Sequence, residues 1–381
     1  MAPRRLLPRL DSFPVMVLGL FVLATLKYSV RGTMTYSELD TLLYAKQFAD
    51  PSFLPGEWYL NLPAGPRHPF HLLIYPLVRV FPLITVSIVG RLLGYLLVSC
   101  SLALIARRLG LGVLAACAAL GAFLWFGQSI IPAHEWILKR IESKVVAYGL
   151  LFFALHALMR KRLVQAGALA GFATTFHVLV GGWGSLALML TTWSRKLGAM
   201  RNRLVALAVW AAAASPGLAY AFSFFMEPEP ASPHDYDEIY VHFRNSYNLL
   251  PTHWDLTPAA VFGALLLLGC LFLARRWFSR EDDAYLAASF ALWAMLPYLA
   301  GILLSPFPFA SHYLVLFPFR VGSTLVMLFG LMLGARALLE AVPRPNLRFG
   351  LALAFASYYF WIGAAAFAKD LGLTVLQKGP H

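Results

Sequence analysis

Runs of roughly 20 apolar residues, enough to cross a hydrocarbon core of about 30 Å at 1.5 Å per residue, recur from one end of this chain to the other. Soluble domains carry about a quarter charged residues; this chain has 13%, and its apolar runs leave no stretch over for a soluble domain. The reading is a single all-α polytopic membrane domain over residues 1–381. A net charge of +13 would suggest nucleic acid in a soluble protein, but the Lys and Arg residues fall in short clusters between the runs, as the positive-inside rule requires. The charge is therefore topology, and nucleic acid is not expected as a partner. Cys100, Cys117 and Cys270 lie in apolar segments without CxxC spacing or His neighbours, which argues against metal or redox chemistry at them.

Placing the basic clusters inside gives about eleven transmembrane helices with short external helical loops and a cytoplasmic N-terminus. The basic start (Arg4, Arg5, Arg9) and the first run are read as a retained signal anchor. The external loops are 31–71, 128–144, 226–255 and 305–312. His68 to Val80, amphipathic and interrupted by Pro76, should lie in the interface. The segment from Leu163 to Trp193 has basic clusters at both ends, so a short helical hairpin is expected, turning at Gly181–Gly184. The Ala-, Leu- and Arg-rich composition points to a bacterial inner membrane.

On this topology most of the acidic and His residues collect on the external face, although Asp and Glu contribute little to topology. A site on that face accounts for them. In the first loop, Tyr36-Ser37-Glu38-Leu39-Asp40 opens a helix on which Glu38 and Asp40, two residues apart, cannot point at the same spot. Asp40 is preferred as the reactive carboxylate, with Glu38 as the alternative.

The layout of residues 1 to about 110 resembles the GT-C superfamily of membrane glycosyltransferases. The features are a short basic tail, a span, an acid-bearing loop closing with Pro66-Arg67-His68-Pro69-Phe70-His71, a Pro-rich re-entry and a basic inner loop. The resemblance implies a polyprenyl-phosphate-linked sugar as donor and an essential acid in the first external loop, Asp40 or Glu38. Such a transfer needs a base for the acceptor hydroxyl and cations for the departing phosphate. Arg91 and Arg320 are the sharper phosphate candidates, with Lys144 and Arg244 at the outer mouths. Glu142, His177, His242 and His312 complete the substrate-binding candidates.

Pro132 to Ile141 reads as a helix, with Glu135 and Lys139 as a surface pair. A helix starting near Ser232 would align His234, Glu238 and His242 on one face, either for sugar hydroxyls or, as a minority reading, for a divalent cation. No other cofactor is implied, and no Walker or GxGxxG sequence is present. The competing classes are a secondary transporter and a membrane acyltransferase. Sparse carboxylates within the spans and the absence of paired broken helices count against the transporter.

Overall fold

The computed structural model describes residues 12–28, 34, 36–61, 65–131, 135–225, 236–258, 262–263 and 282–370. Every long element among them is a helix, and no strand occurs among them. In chain order they are α1 (Phe13–Tyr28), α2 (Tyr36–Ala49), α3 (His68–Val80), α4 (Leu83–Arg108), α5 (Val113–Ile130), α6 (Ser143–Met159), α7 (Leu163–Phe176), α8 (Val178–Ser194), α9 (Met200–Phe225), α10 (Asp283–Leu304), α11 (Phe319–Ala341) and α12 (Pro345–Asp370). Six of these, α4, α5, α9, α10, α11 and α12, are long and apolar enough to cross a membrane. The chain is thus a multi-pass membrane protein in architecture. The expected span from Leu256 to Ala274 lies largely outside the described residues, as do Cys270, Pro132, His134 and His234.

The hairpin is present, but it turns at a different place. α7 and α8 are separated by the single residue His177, and Gly181–Gly184 lie inside α8. Those glycines serve packing instead: a Cβ on Gly181 would sit 2.2 Å from the Thr174 backbone nitrogen, and one on Gly184 would sit 2.3 Å from Leu151. The arms hold 14 and 17 residues, about 21 and 26 Å of helix. α9 packs on α7 through Gly167 and Gly171, whose missing side chains admit the Ala206 and Trp210 carbonyls, the small-xxx-small packing used where lipid supplies no hydrophobic drive.

The first loop folds on a small core of its own. Phe70, Ile74 and Val78, four residues apart on α3, bury one stripe against Leu42 and Ala45 of α2, Val86 of α4 and Ile141. At about 1.5–3 kcal/mol for each large side chain withdrawn from water, this cluster is enough to hold α2 and α3 as a fixed cap on one end of the bundle. The intervening chain is tied down by Tyr44, whose hydroxyl donates to the Tyr59 carbonyl (2.6 Å), and by Gln47, whose amide donates to Asn61 (3.1 Å). Leu72, Leu73 and Val80 remain exposed on the other side of α3, as expected of a helix lying in the interface.

Candidate functional site

The two carboxylates of α2 part as helical geometry demands. Glu38 points inward and is fully buried. It accepts a two-pronged bond from Arg91 of α4, Nε to Oε1 at 2.5 Å and Nη2 to Oε2 at 2.6 Å, and a third from the Ile141 backbone N–H at 3.0 Å. Gly90 lets Ile141 approach this closely, since a Cβ there would meet Ile141 Cδ1 at 2.1 Å. Beside it, Arg140 donates to Ser37 Oγ at 2.6 Å. Glu38 and Arg91 thus pin α2, α4 and the 135–142 segment together. Arg91 was expected on a phosphate and Glu38 as an alternative base, but each is committed to the other. The insertion cost of an arginine inside a span is met by a partner carboxylate.

Asp40 lies at the rim of the cap. Its Oδ2 is 3.9 Å from Nη1 of Arg67, and the two side chains are 18% and 51% exposed, respectively. Its Oδ1 is buried and accepts no hydrogen bond among the described residues. An unfilled buried acceptor costs about 1–3 kcal/mol, which a hydroxyl brought to this oxygen would recover. Arg67 went unremarked as a site residue in the sequence, although it sits in the Pro66–His71 run that closes the loop. His71, one turn on, stacks against Tyr44 with ring centroids 5.5 Å apart. Burial, with help from Arg67 and His68, pushes its pKa down to about 3, so it is neutral.

His177 occupies the break of the hairpin. Its Nδ1 accepts the Val180 N–H at 3.2 Å and caps α8. Because Nδ1 accepts, the ring proton of the neutral imidazole is assigned to Nε2. Burial holds the imidazole well below its usual range, and the charges of Arg67, Lys144 and Arg320 add to this. Three cations from three separate parts of the chain therefore act on one part-buried ring.

Lys144 and Arg320 meet at Glu135. Lys144 Nζ is 3.1 Å from Oε1 and Arg320 Nε is 3.2 Å from Oε2, with Glu135 only 2% exposed. The expected surface pair of Glu135 with Lys139 is not formed, because buried Lys144 and part-buried Arg320 draw Glu135 inward. The expected helix from Pro132 to Ile141 is absent from the described part, 135–142, which is irregular. Trp136 lies under Lys144, 3.5 Å from ammonium to ring centroid, and Glu142 stands 3.9 Å from both Lys144 and Arg140. Arg320 lies in the first turn of α11 and stacks on Phe317 at 3.5 Å. Phe317 has φ of 49°, a left-handed conformation that is an outlier for a bulky residue, and this turn aims Arg320.

His242, Arg244 and His312 form a second polar group. His312 pairs with Asp237 (2.7 Å), His242 faces Ser311 (3.4 Å), and Arg244 lies over the Tyr240 ring. The long helix expected from Ser232 is, in its described part, one α-turn (Tyr236–Ile239) followed by a wider π-turn (Tyr240–Arg244), so Glu238 and His242 do not continue one α-helical face. Among the described residues no group of three His, Cys, Asp or Glu side chains is placed to hold a metal ion.

The site therefore combines a carboxylate with one buried, unbonded oxygen, a half-exposed arginine, a neutral imidazole and two cations held by one buried glutamate. Comparison of the chain with protein-family models, with curated proteins and with solved structures returns no match.

Proposed function

We propose that the chain is a membrane glycosyltransferase that moves a sugar from a polyprenyl-phosphate carrier to an acceptor hydroxyl, with Asp40 as the general base. The reading rests on the buried, unbonded Oδ1 of Asp40 beside Arg67. Lys144 and Arg320 supply positive charge for the departing phosphate, and Arg67, half exposed beside Asp40, adds to it. Inversion at the anomeric carbon follows from a direct attack by the hydroxyl that Asp40 deprotonates: the C–O bond to the new acceptor forms as the bond to phosphate breaks, and the lipid phosphate leaves as an anion.

The same proposal carries the finer topology: about eleven spans in a bacterial inner membrane, basic ends cytoplasmic and the α2–α3 cap outside. The test is reconstitution of the purified chain in vesicles with a polyprenyl-phosphate sugar and candidate acceptor sugars. Release of free lipid phosphate coupled to a new glycoside supports the proposal. Solute uptake with no covalent product would assign the chain to transport.

A further inference from the structure

A cavity lies at the end of the bundle away from the α2–α3 cap, where α4 ends, α5 begins, α11 ends and α12 begins. Its volume is about 770 Å³, within the roughly 300–1,000 Å³ of ligand pockets. One part is lined by Arg108, Arg336, Arg348, Asp282 and Glu340, and the rest by apolar side chains that include Val15, Val113, Phe349 and Leu353.

The three arginines are not equivalent. Arg336 is filled on both edges, by Asp282 at 3.0 Å and by Glu340 at 2.8 Å, so it builds the wall. Arg108 uses Nη2 alone, on Asp283 (2.7 Å) and the Met159 carbonyl (3.1 Å). Arg348 uses Nε alone, on the Val342 carbonyl. Among the described residues, two guanidinium groups are therefore anchored by one edge, with no partner on their remaining N–H donors, at the polar end of an otherwise apolar cavity. That division of charge and grease matches an amphiphile with an anionic head. Bidentate Arg contacts suit phosphate oxygens, and basic pockets between membrane helices hold lipid head groups.

We infer that this cavity binds an anionic glycerophospholipid from the surrounding leaflet, its phosphate on Arg108 and Arg348 and its chains along Val113, Phe349 and Leu353. The test is native mass spectrometry of the full chain taken from nanodiscs of equal parts phosphatidylglycerol and phosphatidylcholine. One phosphatidylglycerol should be retained in preference to phosphatidylcholine. Arg348→Ala, which removes a single backbone contact, should lower that retention about tenfold. Leu353→Trp, which fills the apolar part, should lower it similarly with both arginines intact. Excess inorganic phosphate should leave the adduct in place. Equal retention of the two lipids, unchanged retention in both variants, or displacement by inorganic phosphate would each overturn the assignment.

Discussion

At the residue scale, two acids separated by one leucine have opposite fates, and their substitutions should differ accordingly. Glu38 is a structural anion: Arg91→Ala leaves it buried and unpaired, which should cost about 3–5 kcal/mol and show as a large drop in melting temperature in detergent. Asp40→Asn should leave the melt within about 0.5 kcal/mol, since it keeps the shape and loses only a 3.9 Å contact to a half-exposed arginine. His71 sets a pH dependence. Its folded pKa lies far below the ordinary value near 6.5, so the stability tied to its neutral form is complete above 6.5 and is lost as pH falls below it. Between pH 7.5 and 5 that loss amounts to about 2 kcal/mol, and His71→Gln should remove about that much from the thermal-stability profile, leaving the slope in the same window that belongs to His177. The sequence made the choice between Glu38 and Asp40 a matter of helix face, but which face is buried depends on Arg91 and Ile141, both far along the chain. Glu135 was misjudged for the same reason: its partner Arg320 is on α11, and no local spacing signals it.

At the scale of elements, apolar length and basic punctuation located most of the helices, and α3 spans the residues expected, His68–Val80. Glycine was the ambiguous signal. Gly181–Gly184 suggested a turn, yet their role is close approach, and the chain reverses at His177 because the His177 side chain caps the next helix. Gly181→Val should therefore disrupt the α7–α8 contact, costing at least about 1–3 kcal/mol, since the Thr174 backbone cannot give way. Gly182→Ala, with nothing within 4 Å of its added methyl, should be neutral or slightly stabilising. Paired melting curves of the two variants check this, and equal curves would return the glycines to a turn role.

At the scale of the whole molecule, the polar groups sit toward two ends of α4: the cap with Asp40 meets it at Val86 to Arg91 and the arginine-lined cavity at Arg108, about 26–33 Å of helix apart. The first loop was legible as a candidate site because its acids and aromatics could be read locally. The cavity was not, because it is assembled from the ends of five helices. Opposite sidedness follows. Cysteines introduced at Trp58 and at Arg162 should be labelled by an impermeant thiol reagent from opposite faces of sealed vesicles, and labelling from one face would contradict the topology. The most direct test of the central claim is single-turnover release of lipid phosphate from a polyprenyl-phosphate sugar by the reconstituted wild type and Asp40→Asn, with equal melting temperatures verified. The account requires the variant to lose about 10²–10⁴ in rate while still binding the donor. A rate equal to wild type would remove Asp40 as the base and with it the physical case for sugar transfer.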